Sequence, residues 1–145
     1  ENYLDLQRLA PSVPWVPVLQ GFHHDDYLGH VGAWERAGIT LSSLPLVGLG
    51  SVCRRQDTRM AEELVRELCG MGIRLHLFGF KLKGLPNVCN HAVSSDSMAW
   101  SLAARRDQPM PGCTHRNCAN CIRYALWWRE KALRSALRPK QLVLF

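Results

Sequence analysis

The sequence predicts an α/β fold built on a parallel sheet, and three observations carry that expectation. Short apolar runs alternate with helix-patterned segments four times between residues 13 and 106. Each intervening helical segment is long enough to serve as a crossover between parallel strands, which tight turns cannot join. With 47% hydrophobic, 21% charged and 8% aromatic residues, the chain has the composition of a folded domain and not of a disordered one. Its 145 residues suit one domain, and are too few for a complete (β/α)₈ barrel of about 250. The chain begins at Glu1, so it is expected to be processed or a piece of something longer.

Each element follows from local pattern. Residues 13–20 (VPWVPVLQ) read as a buried strand ending at Gln20–Gly21, weakened by Pro14 and Pro17, which cannot donate to a ladder. Residues 25–37 place Leu28, Val31 and Trp34 on one helical face, with Asp25 or Asp26 near the N-cap and Gly38 beyond the end. Residues 44–49 (LPLVGL) read as the second strand. Residues 57–69 form the clearest helix, with Met60, Leu64, Val65 and Leu68 in one stripe, an expected Glu62–Arg66 pair and Gly70 as the stop. Residues 73–79 and 91–95 supply a third and a fourth strand, and residues 97–106 a helix. After a turn-rich stretch at 107–117, residues 118–137 read as one long basic helix. Arg138–Pro139–Lys140 breaks it before the apolar end Gln141–Leu142–Val143–Leu144–Phe145.

In parallel α/β folds ligands gather at the carboxyl ends of strands. Those positions hold Gln20 and Gly21, then Gly48, Leu49, Gly50 and Ser51, then Gly79 and Lys81, then Ser94, Ser95 and Asp96. Small residues let a ligand approach backbone, a glutamine both donates and accepts, and an aspartate can act as nucleophile or base. Asp96 equally suits the cap of the helix that follows it. His23, His24, Asp25 and Asp26 form a local cluster that reads as a solvated helix entry rather than a metal site. His76 reads as a hydrogen-bonded residue within a strand.

Charge and cysteines point to two further features. Residues 1–100 hold nine Lys/Arg and ten Asp/Glu, whereas residues 101–145 hold nine and two. A basic segment of that kind favours a polyanion, and Trp127 and Trp128 among Arg123, Arg129, Arg134 and Arg138 offer stacking as well as charge. Adjacent tryptophans cannot share one helix face, so at least one is expected to pack inward. No signal peptide is apparent, and no apolar run approaches the roughly 18 residues of a membrane span. A reducing, cytoplasmic setting is expected, where clustered cysteines signify metal rather than disulfides. Cys113-x4-Cys118-x2-Cys121 straddles a turn and suits a structural, tetrahedral Zn²⁺. His115 within that loop, or the remote Cys89 or His91, would supply the fourth ligand.

Taken together, Gln20–Gly21, Gly48–Leu49–Gly50–Ser51, Phe78–Gly79, Ser95–Asp96 and the three clustered cysteines resemble the C-terminal half of the tRNA-guanine transglycosylase superfamily. The runs VGLGSVCRRQ (47–56), SSDSMAWS (94–101) and PGCTHRNCANCIRYAL (111–126) resemble its DpdA branch most, which places 7-deazaguanines in DNA. The resemblance covers nearly all of residues 13–130. It implies the last four strand–helix units of a (β/α)₈ barrel over residues 1–110, a zinc-binding segment with a basic helix over 111–138 and a tail over 139–145. It implies Asp96 as the covalent nucleophile, and Gln20, Gly21, Gly48, Leu49, Gly50 and Ser51 around the base. Arg105, Arg106, Arg116 and Arg123 would meet the nucleic-acid backbone, and Cys113, His115, Cys118 and Cys121 would hold zinc.

The cysteine spacing departs from the family's usual ligand pattern, which has a one-residue first gap and a histidine some 25 residues after the last cysteine. The family's second catalytic aspartate, an acid/base on an early strand, has no counterpart here, since Asp25, Asp26 and Asp57 fall at helix starts. The implied substrate is DNA, with tRNA as the alternative within the same chemistry and a non-catalytic zinc-bearing nucleic-acid-binding fragment as the alternative of another class. A half-barrel exposes sheet edges and a core face, so marginal stability, pairing with another copy, or an N-terminal partner half is expected. The end of the chain, through Gln141, Leu142, Leu144 and Phe145, resembles peptides that dock on the bacterial sliding clamp.

Overall fold

A computed structural model describes residues 2–52, 59–80, 82 and 84–137. The elements in chain order are α1 (Asn2–Leu9), β1 (Val18–Leu19), α2 (His24–Arg36), a 3₁₀ turn at Leu41–Ser43, β2 (Val47–Leu49), α3 (Arg59–Gly70), β3 (Leu75–Leu77), α4 (Leu85–Val88), β4 (Ser94–Ser95), α5 (Ala99–Ala104) and α6 (Ile122–Ala136). The four strands form one parallel sheet in sequential order, β1-β2-β3-β4. The predicted α/β class and strand–helix alternation therefore hold. The predicted Lys81, the start of the 57–69 helix and the clamp-like peptide lie outside the described residues, as does Cys53.

The strands are shorter than their apolar runs. Pro14 and Pro17 restrict β1 to two residues. Beyond Leu77, Gly79 adopts a left-handed φ of 70° and ends β3.

Register divides the sheet into two unlike faces. Leu19, Leu49 and Leu77 are aligned across it and wholly buried, as are Val47 and Leu75 one row earlier. They pack with Tyr27 and Val31 of α2, Leu64, Val65 and Leu68 of α3, and Val88 of α4. This helix-covered face is the main core. The opposite face carries the alternate residues Val18, Gly48, His76 and Ser94, which are also aligned. Burial of the leucine row accounts for the fixed register, because a one-residue slip would turn it outward.

His23 is the N-cap of α2, the expected aspartates Asp25 and Asp26 follow it in the first turn, and Asp26 Oδ2 accepts from the backbone N–H of Phe22 (2.9 Å) and His23 (2.7 Å). Two local expectations are corrected. On α3 the ion pair is Arg59–Glu63 at 2.7 Å, while Glu62 accepts from Asn87 on α4, so the Glu62–Arg66 pair is replaced by a tertiary contact. The basic helix starts at Ile122 instead of 118, because Cys118–Cys121 is a turn closed by Cys121 N–H donating to the Cys118 carbonyl at 3.0 Å. Neither α1 nor α4 was anticipated: α1 buries no residue, and α4 is one turn opened by Pro86.

Gly21 packs against the start of α2, where a Cβ would lie 2.8 Å from Asp26 Cβ and 2.9 Å from Tyr27 Cδ2. Neither atom is the free end of a flexible chain. Gly21→Ala is therefore expected to destabilise the fold by about 1–3 kcal/mol through overpacking, read as a lower urea midpoint at unchanged slope. An unshifted midpoint would show that α2 is not seated against this turn.

Candidate active site and metal centre

One residue beyond the paired strands, Gln20, Gly50, Phe78 and Asp96 share the face opposite the main core with the His76 row. Backbone bonds continue the ladder to this point: Gly50 N–H to Leu19 O at 2.9 Å, Phe78 N–H to Leu49 O at 3.1 Å and Asp96 N–H to Leu77 O at 3.4 Å. Side-chain contacts confirm the shared face. A Cβ on Gly48 would lie 2.5 Å from the Phe78 ring, and one on Gly50 would lie 3.4 Å from the Gln20 side chain. The glycines are what let Phe78 and Gln20 lie across the sheet.

Asp96 does not cap α5. The N-cap is Met98, and Ala99 N–H is met at 3.2 Å by Ser97 Oγ. The Asp96 carboxylate instead turns back to β3, where Oδ1 accepts from Gly79 N–H at 2.8 Å. His76 Nε2 lies 3.7 Å from the same oxygen, and His76 Nδ1 lies 2.8 Å from Ser94 Oγ. The ring of Phe78 meets His76 edge-on at 4.7 Å and remains 39% exposed. Asp96 is thus a solvent-open carboxylate fixed by one amide donor, with an imidazole beside it and an aromatic face next to it.

Across the sheet, Ser51 holds a left-handed φ of 61° and its Oγ donates to Gln20 Oε1 at 3.1 Å. Such a conformation in a non-glycine residue is costly and recurs at ligand sites. Tyr27 OH donates to the Gly50 carbonyl at 3.0 Å, fixing the turn from beneath. Gln20, Gly48, Gly50, Ser51 and Asp96 are therefore gathered at one end and one face of the sheet. Gly21 faces α2, and Leu49 turns its side chain into the main core, leaving only backbone for a ligand.

The second cluster lies between α5 and α6. Ligand atoms of Cys113, His115, Cys118 and Cys121 all lie within 4.8 Å of one another, the one such group among the described residues. Cys113 and Cys121 sulfurs are 3.9 Å apart, close to the tetrahedral edge of about 3.8 Å that Zn–S bonds of about 2.3 Å require. His115 Nε2 lies 3.1 Å from Cys118 Sγ. Desolvation, then hydrogen bonding with Cys121 and Cys118, pushes the Cys113 thiol up, while the backbone N–H of Tyr124 holds Cys121 below its ordinary value. Met110 N–H (3.3 Å) and Arg123 Nη1 (3.5 Å) donate to the sulfurs of Cys118 and Cys113. Three thiols and an imidazole supported by N–H donors fit a structural Zn²⁺, with His115 as the fourth ligand. Cys89 is engaged elsewhere, donating to the Ala136 carbonyl at 3.1 Å, and His91 is outside the group. Within the His23–Asp26 stretch, His24 Nε2 pairs with Glu67 at 2.8 Å.

Around the metal ligands a second small core forms from Ala104, Cys118 and Tyr124, with Trp100, Met110 and Trp128 packed on it. Tyr124 is 3% exposed and donates to Asp107. Burial, then that bond, pushes its phenol up to about 12. Arg123 also donates from Nη2 to the Pro111 carbonyl at 3.0 Å, so it clasps the cysteine loop. Arg105, Arg106 and Arg116 are exposed on the same part of the chain.

A family model described as DpdA, DeoxyPurine in DNA protein A, matches residues 1–143. The chain belongs to the DpdA family. That membership carries a role in deoxypurine modification of DNA, and it agrees with the DpdA resemblance of the sequence. No curated protein and no solved structure is matched. Among the described residues no helix is long and apolar enough to cross a membrane.

The DpdA chain is expected to carry one zinc per molecule, measured by elemental analysis of protein purified without added metal. Cys118→Ala should lose it, and His115→Ala, short of one of four ligands, should release it to a chelator more readily than wild type. Stoichiometric zinc in Cys118→Ala would overturn the ligand set.

Proposed function

We propose that the chain exchanges a purine in DNA for a 7-deazaguanine through a covalent bond between Asp96 and the sugar. The observation that carries this reading is the Asp96 carboxylate, fixed by Gly79 N–H on the same face as Gln20, Phe78 and the Gly48–Ser51 turn. A carboxylate used only as a helix cap would have no reason to point there.

The chemistry follows. Asp96 attacks C1′ of an extruded nucleotide as the C1′–N9 bond breaks, and the departing purine takes the bonding pair and a proton. The incoming base loses its N–H proton, attacks C1′ from the opposite side and expels the aspartate, so one base replaces another with no net hydrolysis. The Gly79 amide orients the nucleophile without neutralising it. Gln20, oriented by Ser51, would bond the base edge, and the Phe78 ring would stack on it. The sheet face opposite the main core would line the interior of a (β/α)₈ barrel whose last four units are residues 1–110. The zinc centre, at 111–138, would be structural and fix α6 beside the sugar-binding end. A further aspartate from an early strand or partner half would supply the acid/base for the departing purine.

In the native protein, Asp96→Asn is expected to lower exchange of labelled guanine into DNA by at least about a thousandfold, with zinc content and unfolding midpoint unchanged. Gln20→Ala should keep the covalent step and relax the choice of base. Exchange by Asp96→Asn within tenfold of wild type would remove Asp96 from the chemistry.

A further inference from the structure

A cleft of about 250 Å³ opens beside Asp96 on its other flank, between the end of β4 and α6. Its walls include Phe80, Trp100, Trp128 and Arg129, with Asp96 and Ser97 at one end. A second cleft of about 530 Å³ shares Leu82 with it and continues along α6 past Trp127, Lys131 and Arg134. The first is smaller than a typical small-molecule site of about 300 Å³ or more, a size for one planar ring system. The two clefts together present three tryptophans and three cations against two carboxylates, Asp96 in the first and Glu130 in the second, the latter 3.5 Å from Arg129 Nη1. Lys131 Nζ sits 5.2 Å from the Trp127 ring and 5.5 Å from that of Trp128.

We propose that this pair of clefts is a track for single-stranded DNA, and that the nucleotide adjoining the target one stacks in the Trp100–Trp128 cleft with its phosphate on Arg129. The proposal rests on the reading of Asp96 as the sugar nucleophile, because that fixes where the strand must pass. Three features select this occupant. The cleft is continuous with Asp96, so a strand whose sugar reaches the carboxylate has its neighbour within the cleft. The net charge of this part of the chain is strongly positive, which complements a polyanion. Aromatic walls alternating with cations along a groove suit bases and phosphates in succession, and stack any base irrespective of sequence. A duplex keeps its bases stacked on one another and leaves them unable to enter a cleft this narrow. Trp128 is held for this task from behind, its ring stacked on Tyr124 at 6.4 Å, and Tyr124 is packed on the cysteine turn.

The test uses the native protein carrying Asp96→Asn, so that binding is read without turnover. Two single-stranded oligonucleotides carry 2-aminopurine on the 5′ or the 3′ side of a guanine. Binding should quench the fluorescence of one of the two probes. Trp100→Ala should abolish the quench and weaken binding about tenfold. Arg129→Gln should weaken binding several-fold and lower the slope of log affinity against log salt by about 0.7. Arg129 is exposed, so that variant reads the groove even if Trp100→Ala loses its zinc or its fold. No quench at either position, or wild-type affinity and salt slope in Arg129→Gln, would overturn the track. Base exchange, measured separately on protein with Asp96 intact, distinguishes the two readings. Exchange with no dependence on the clefts removes the track alone. Cleft-dependent binding without exchange removes the catalytic reading and leaves the track.

Discussion

The parallel register of the sheet is the constraint on which everything else depends. It places Leu19, Leu49 and Leu77 in one buried row under the helices. Because side chains alternate, it puts the next residue of each strand on the opposite face. Gln20, Gly50, Phe78 and Asp96 owe their common position to that alternation and not to any contact among themselves. The apolar rows hold the register of β1, β2 and β3, since moving one of these strands by a residue would expose its leucine, whereas β4 (Ser94–Ser95) is set by its pairing with β3. Stability on one face thus orders the polar residues on the other.

A second, smaller core carries out a different task. The turn of Cys118–Cys121 leads directly into α6 and buries Cys118 and Ala119. Four ligands converge there, and the same turn packs Tyr124, Trp100 and Trp128 together. Arg123 closes the loop from outside through Pro111 and Cys113. The cleft beside Asp96 lies between the end of β4 and α6, the helix that follows the cysteine cluster.

Much of this was legible in the sequence, for reasons that differ by residue. The stripe at Leu64, Val65 and Leu68 has helical period, and burial followed it. The cysteine cluster was legible because its ligands are local, and His115 completes it from within the same loop. What escaped was tertiary. Glu62 has a correctly spaced partner in Arg66, yet bonds Asn87 because α4 packs beside it. Asp96 has the spacing of a helix cap, yet turns to Gly79 in the turn after the neighbouring strand β3. Arg123 has the composition of a phosphate ligand, yet is spent on the cysteine loop. His76 gave only the signal of a polar residue alternating within a strand, and its approach to Asp96 depends on the β3–β4 register. The short α1 buries no side chain.

The central claim is that Asp96 becomes joined to the sugar. The direct measurement is peptide mapping by mass spectrometry after acid quench of the native protein turning over on guanine-containing DNA. The account predicts a nucleotide remnant on the peptide spanning residues 94–98, located at Asp96 by fragmentation and absent from Asp96→Asn. Base exchange proceeding with the adduct on another carboxylate, or with none at Asp96 under conditions that trap the intermediate, would contradict it.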